Sequence, residues 1–287
     1  MNASSSDPAT RKAKPGISRR SASEGPFAAL GRYRGVALEL TRRDVLGRYR
    51  GSAFGLGWSL LGPLLLLAVY TFAFGEILGG RWNQQTESEV PFGIVLFLGI
   101  MVHGFFAEVL ARSPSLMIAN ANFVKKIIFP LPVLSWTVVM SAFYHLLANL
   151  VVFIVLAIAL AGILSPWVVL VPIVILPLLL LAVACSWLLA ALGVYFRDIG
   201  QAVPVVVTAM LFLSSAIVPV ATLAPKYQRI FHLNPLTFFI DQVREVALWG
   251  RLPDWQGIGI RLLVCVVLVY LAHAFFRRAS RGFADVL

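Results

Sequence analysis

Six apolar stretches, each long enough to cross a lipid bilayer as a helix, dominate the chain. A hydrocarbon core takes about 20 apolar residues per helix. Gly55–Ile77, Pro91–Ala111, Val133–Leu164, Trp167–Tyr195, Ala202–Ala224 and Ile258–Phe276 meet that length. The third and fourth are long for one crossing, which predicts tilt or extension beyond the hydrocarbon. Only Ser165 and Pro166 separate them, so they form a tight hairpin. Pro172, Pro177 and Pro204 fall inside spans, where membrane helices accept proline at the expense of a kink. Composition closes the soluble alternatives. Hydrophobic residues make up 59% of the chain and charged residues 13%, against about 45–50% and about 25% in soluble domains. The expected fold is an all-α integral membrane protein with six transmembrane helices over residues 53–287.

The charge balance indicates what lies beside those helices. Lys plus Arg is 24, Asp plus Glu is 13, and the net is +11. On a soluble protein such an excess points to nucleic acid. Here the cations sit next to apolar spans, so an anionic membrane surface or substrate head group fits and nucleic acid does not. With the N-terminus inside, the cytosolic side carries eighteen of the Lys and Arg residues and the outer side six. The positive-inside rule then puts both termini in the cytosol. Residues 1–29 read as a disordered cytosolic tail, with Arg11, Lys12, Lys14, Arg19 and Arg20 among Ser and Ala and no apolar signal-peptide core. Cys185 and Cys265 lie inside apolar runs and read as small hydrophobes.

Two segments outside the spans have helical patterns. Within residues 30–52, Tyr33, Val36, Ala37 and Leu40 form one apolar patch, and an unbroken helix would align Arg32, Arg43 and Arg50. This is an amphipathic helix in the cytosolic interface. Within residues 221–252, Asn234 is placed to cap a helix whose first residue is Pro235. Leu236, Phe239, Ile240, Val243 and Ala247 give it an apolar stripe, with Asp241, Arg244 and Glu245 expected opposite. Tyr227, Ile230 and Phe231 suggest a shorter turn before it. Two such half-helices would re-enter the outer leaflet as a lid.

Several chemistries are missing. No Gly-Lys dipeptide occurs, so a Walker phosphate-binding loop is excluded and the chain is not expected to hydrolyse nucleotide. No metal-ligand spacing or catalytic triad pattern is found, and no bound cofactor is expected. Ionisable residues in the cores reduce mainly to His103, Glu108, His145 and His273, with Arg112 four residues after Glu108. His103 and His145 read either as a proton relay or as simple interhelical hydrogen-bonding groups. The pattern is that of a conduit driven from elsewhere. Residues 113–132 between the second and third spans contain NANFVKKIIFP, which places Lys125 and Lys126 among Phe123, Ile127, Ile128 and Phe129 before Pro130. That segment suits docking into a partner's groove, or only anchoring by positive charge.

These residues also carry a family resemblance. TRRDVLGRYRGS at Thr41–Ser52, FGLGWS from Phe54, and Gly62-Pro63 resemble the opening of ABC-type polysaccharide export permeases. NFVKKIIFP at Asn122–Pro130 resembles their coupling segment, YFRDI at Tyr195–Ile199 their loop after the fourth span, and Val218–Val220 with Asn234–Leu236 their extracytoplasmic gate. The matches run in order from about Leu38 to the last span. The resemblance implies a homodimer joined to two copies of a cytosolic ABC ATPase that binds ATP and Mg. It implies as cargo a lipid-linked polysaccharide, with O-antigen favoured over capsular polysaccharide or teichoic acid.

The resemblance assigns roles residue by residue. Arg42, Arg43, Arg48 and Arg50 are placed to meet a lipid diphosphate by bidentate pairing, or to attract anionic lipid generally. Lys125, Lys126, Phe129 and Pro130 become ATPase contacts, and Arg197 and Asp198 a structural pair or a second such contact. Tyr70 and Phe74 either line the channel as aromatic rails or face lipid. Pro219, Asn234, Pro235, Asp241 and Arg244 belong to the gate. A small-molecule ABC permease, an ion-coupled flippase and a membrane transferase are the rival readings. The arginine-rich interface helix, the missing intramembrane acids and the missing catalytic cluster count against them in turn.

Overall fold

Main-chain N–H and C=O groups that leave water must pair within the chain, and a helix does this along one continuous segment. Helices are accordingly the regular structure of the computed structural model, which describes residues 25–73, 91–125, 129–162 and 164–287; no strand occurs among them. The expected tail up to residue 24, together with Phe74 and Lys126, lies outside the described residues.

The chain enters through α1 (Pro26–Arg32) and α2 (Arg34–Arg48). The expected single interface helix is therefore two, broken at Tyr33, and Arg32 does not share an unbroken stripe with Arg43 and Arg50. The packed face also differs from the expected one. Ala37 and Val45 are buried whereas Val36 is 41% exposed. Residues 37, 41 and 45 repeat at four-residue intervals and lie over α7 (Pro132–Leu156), where Thr41 reaches Met140. Small Ala37 allows that approach. At the start of the chain, Phe27 packs its ring at 6.1 Å from both Trp136 and Tyr270.

Among the described residues four helices are long and apolar enough to cross a bilayer. They are α4 (Phe92–Arg112), α7 with its extension to Ala159, α8 (Val171–Tyr195) with the turn from Pro166 before it, and α12 (Trp255–Ala279), which continues to Val286. The tight hairpin between the third and fourth apolar stretches is present, with the Ser165 hydroxyl accepting from Trp167 N–H. α4 is the most enclosed of the four and α12 the least. Ile260, Leu263, Val264, Val267 and Leu271 of α12 face outward, as a lipid-facing helix requires.

The other two expected spans are shorter as described. α3 (Trp58–Tyr70) continues as a wider helical turn to Ala73, the last described residue of that stretch, and α9 (Ile199–Phe212) has 14 residues, about 20 Å at 1.5 Å per residue. The sequence predicts a fifth span up to Ala224, but its helix stops at Phe212. The next residues fold into turns before Pro219, which has no N–H to continue a helix. Short elements complete the chain: α5 (Leu116–Ala119), α6 (Ala121–Val124), α10 (Pro225–Leu233), α11 (Pro235–Ala247) and α13 (Phe283–Val286).

Close approaches lock the bundle where α4 gives way to α5. Ser113 donates at 2.6 Å to the Val109 carbonyl and lies 2.9 Å from the Ser186 hydroxyl on α8. The Trp187 indole donates to the Pro132 carbonyl at 3.1 Å. A Cβ on Gly193 would stand 2.1 Å from the Pro114 carbonyl oxygen, so only glycine lets the end of α8 meet this turn. Gly193→Val is expected to lower the melting temperature of the purified protein by the equivalent of about 1–3 kcal/mol. Gly104→Val, at a helical glycine with open space around it, is the matched control. Equal melting of the two variants would contradict this packing.

Candidate functional site

The polar chemistry gathers at two places, one where α2 meets α4 and one where α11 meets the broken end of α9. At the first, Asp44 and Arg48 are one turn apart on α2, and Glu108 and Arg112 one turn apart on α4. Each pair shares a face of its helix. Arg112 Nη2 donates to both Asp44 carboxylate oxygens, at 2.6 and 2.8 Å. Its Nη1 donates to Glu108 Oε1 at 3.2 Å, and Arg48 Nη2 donates to the same oxygen. His145 of α7 puts Nδ1 at 3.2 Å from Glu108 Oε2 and 3.1 Å from Arg48 Nη1. One tautomer donates to the carboxylate and the other accepts from the guanidinium. Two carboxylates and two guanidiniums balance, so the network is neutral when His145 is neutral. Tyr49 meets the His145 ring edge-on at 6.1 Å. Partial burial pushes its phenol pKa up, against the lowering effect of neighbouring Arg48.

This arrangement divides the four arginines that the sequence groups together. Arg48 is engaged by Glu108, whereas Arg42, Arg43 and Arg50 are exposed and line a groove of about 370 Å³ with Glu39, Leu46 and Gly47. Three cations and one carboxylate make that groove positive. Asp44 and Arg112 are absent from the sequence-derived site. The signal for them was present as paired four-residue spacings, Asp44 with Arg48 and Glu108 with Arg112, but nothing in the sequence brings the two helices together.

Between α4 and α7 the chain makes the short turns α5 and α6. Lys125 is exposed just after them, and Phe123 stacks on Phe129 at 4.5 Å with 24° between ring planes. Phe129 and Pro130 are half-buried. Pro114, Ser115 and Ile118 form one wall of a second groove of about 470 Å³, whose other wall includes Arg197 and the C-terminal Val286 and Leu287. Arg197 and Asp198 are exposed, and no ion pair joins them among the described residues.

At the second place α11 forms as its residues dictate. The Asn234 side chain accepts from Leu236 N–H at 3.1 Å, Pro235 opens the helix, and Gly250 at φ +65° follows its end. Leu236, Phe239, Ile240, Val243 and Ala247 are all buried. Arg244 departs from expectation: it is 2% exposed rather than on a polar outer face. The reason is the broken chain beyond α9. Arg244 Nη1 donates to the Ser215 carbonyl at 2.5 Å and Nη2 to the Ala216 carbonyl at 3.0 Å, while Nε donates to Val95 of α4 at 3.1 Å. A Cβ on Gly99 would stand 2.5 Å from Nη2, so glycine there leaves room for the guanidinium. The Asn234 amide donates to the carbonyls of Met210 and Leu213. Asp241 lies 3.9 Å from Arg244, and Pro219 is extended at the entry to the short 3-10 turn Val220–Thr222 that precedes α10.

The remaining candidates are dispersed. Tyr70 is half-buried at the end of α3. His103 donates through Nε2 to the Val207 carbonyl of α9 at 3.1 Å, whereas His145 belongs to the Glu108 network, and no hydrogen-bonded chain of side chains joins the two among the described residues. His273 packs at 5.0 Å on the Trp187 ring, and both cysteines are free.

Several long apolar helices, a polar network at one edge and a helix folded back at another define a multi-pass membrane protein. The chain belongs to the ABC-2 type transporter family, whose model matches residues 37–248. It is 29% identical over 256 residues to an O-antigen export system permease protein, RfbA, of Myxococcus xanthus, covering 88% of this chain and 95% of that one. An RfbA permease of Klebsiella pneumoniae is 26% identical over 86% of this chain and 93% of its own. Nodulation protein J of Neorhizobium galegae is 35% identical, but over only 94 residues, 32% of this chain and 36% of that protein.

Arg244→Met removes donors from three buried carbonyls. At about 1–3 kcal/mol per unsatisfied buried group, it is expected to cost at least about 3 kcal/mol. The check is thermal melting together with protease cleavage after α9. Wild-type protection in the variant would show that the carbonyls do not depend on Arg244.

Proposed function

We propose that this chain is the channel-forming membrane subunit of an ATP-driven exporter that moves a lipid-linked cell-surface polysaccharide, with O-antigen as the favoured cargo, across the bacterial inner membrane. The observation that carries this reading is the positive groove of Arg42, Arg43 and Arg50 beside an apolar bundle, in a chain similar to an O-antigen permease over nearly all of that protein's length. A lipid diphosphate suits such a groove, because planar guanidiniums pair with phosphate oxygens in a fixed geometry. In this reading Arg48 orients the helix instead of touching the head group.

The rest of the mechanism follows from position. Both termini lie in the cytosol. The chain crosses six times, with α3 and α9 supplying the first and fifth crossings, and α10 with α11 re-enters the outer leaflet as a gate around Pro219, Asn234, Pro235, Asp241 and Arg244. Two copies pair to enclose the channel. Outward-facing Leu60, Leu64, Val69 and Phe72 on the α3 segment and Val205, Val206 and Phe212 on α9 supply apolar faces for that pairing or for lipid. Tyr70 and Phe74 serve as rails for sugar rings. ATP and Mg bind a partner ATPase, two copies of which press on residues 113–132 through Lys125, Lys126, Phe129 and Pro130, with Arg197 and Asp198 alongside.

Deletion of the gene is expected to abolish the surface glycan, and the tagged protein is expected to bring down an ATPase. Lys125→Glu with Lys126→Glu should release that ATPase or uncouple its hydrolysis from export. Arg42→Glu with Arg43→Glu should reduce export at least about tenfold while the complex still assembles on size exclusion, since two charge-assisted contacts are worth about 1.5–3 kcal/mol each. An unchanged surface glycan in the deletion strain would overturn the reading.

A further inference from the structure

We infer that the Asp44–Arg112–Glu108–Arg48 network is a relay through which an anionic lipid head group on α2 and nucleotide on the partner ATPase sense one another. The inference rests on the proposed function and adds a regulation to its head-group site.

The partition of α2 is the first ground. Arg42 and Arg43 face the groove, and the next residue, Asp44, is gripped by both bonds from Arg112. Arg48 and Arg50 divide in the same way, Arg48 to Glu108 and Arg50 to the groove. α2, with the turn that follows it, thus carries ligand-facing cations on one side and the network on the other, and any change in its tilt or register reaches both.

The second ground is where the network ends. Arg112 is the last residue of α4, and the Ser113–Ser115 turn leads directly into α5, α6 and Lys125. Ser113 is fastened to Val109 and Ser186, and the turn is wedged against Gly193, so this corner moves as a unit. A push on α5 and α6 therefore arrives at Arg112 with little slack.

The third ground is how α2 is held. Ala37 and Val45 are buried and Leu40 packs against the core, so apolar contact lays α2 along α7, and the ion pairs add a directional attachment to α4. One guanidinium nitrogen of Arg112 is shared between both Asp44 oxygens, a short charge-assisted contact of the stronger kind. The acceptors are partly buried, with 29% of the Asp44 side chain and 19% of the Glu108 side chain exposed. Salt screens such pairs less than fully exposed ones. Glu108 also has Arg48, Arg112 and His145 around it, so it has alternative partners if one withdraws. A carboxylate with several competing donors suits a two-position element.

Linkage supplies the test, because coupling between two binding sites is reciprocal. Undecaprenyl diphosphate would be titrated into the permease–ATPase complex in phosphatidylcholine nanodiscs, with and without a non-hydrolysable ATP analogue. Wild type is expected to show a shift in lipid affinity of about fivefold or more between the two conditions. Asp44→Asn should bind the lipid with the same affinity in both, and Asp44→Glu, which keeps the charge, should recover part of the shift. Size exclusion with the ATPase checks assembly, and near-isosteric Glu108→Gln gives an independent reading if Asp44→Asn does not assemble. A full nucleotide-dependent shift in the assembled variants, or lipid binding by wild type with no shift, overturns the relay and leaves the proposed function standing. No binding of the lipid by wild type overturns both. Phosphatidylglycerol serves as the second titrant. An equal shift with it keeps the relay but assigns the arginine groove to bulk anionic lipid.

Discussion

Hydrocarbon cannot hydrogen-bond a main chain that leaves its helix, and that constraint decides where the polar residues of this protein sit. When α9 stops at Phe212, the carbonyls of the following turns must find donors inside the bundle. Two side chains from the chain that folds back supply them, the Asn234 amide and the Arg244 guanidinium. Burying a guanidinium costs several kcal/mol. Three hydrogen bonds from a charged donor, at about 1.5–3 kcal/mol each, offset a comparable amount. The net stabilisation is therefore small, but the arrangement is specific, because no other residue type presents donors to three carbonyls at once in that plane.

The same accounting applies where α2 meets α4, with a different solution. There the charges compensate each other, carboxylate to guanidinium, and the network as a whole carries no net charge that would have to be hydrated. Neutrality lets Asp44 and Glu108 retreat partly from water while Arg42, Arg43 and Arg50 stay outside as an excess of cations over the Glu39 carboxylate. One set holds the helix and the other is left to meet anions.

Much of this was legible in the sequence wherever a local rule was sufficient. The cap of α11 by Asn234 with Pro235, its buried stripe and its stop near Gly250 follow from neighbouring residues alone, as does the tight turn at Ser165 and Pro166. The four long apolar helices follow from hydropathy. What did not follow depends on tertiary partners. A hydropathy window cannot distinguish the end of α9 from the turns after it, because Leu213–Val218 is as apolar as the helix before it. The helical wheel puts Arg244 on the polar side of α11, and only the orphaned carbonyls across the gap explain why it turns inward. The four arginines near the first span look equivalent in sequence, and Glu108, sixty residues away, separates Arg48 from the rest.

The brevity of α9 has a consequence for the lipid itself. Fourteen residues span about 21 Å, while an unperturbed hydrocarbon layer is about 30 Å thick. If α9 is the crossing proposed above, lipid packed against it must compress or tilt its chains, or the mismatch must be filled by protein such as the turns after Phe212 and the helices that follow them. Where it is the lipid that yields, the membrane is pinched along that side of the bundle. A thinner apolar layer lowers the barrier for anything polar passing beside it, so the shape of the surrounding bilayer becomes part of the passage.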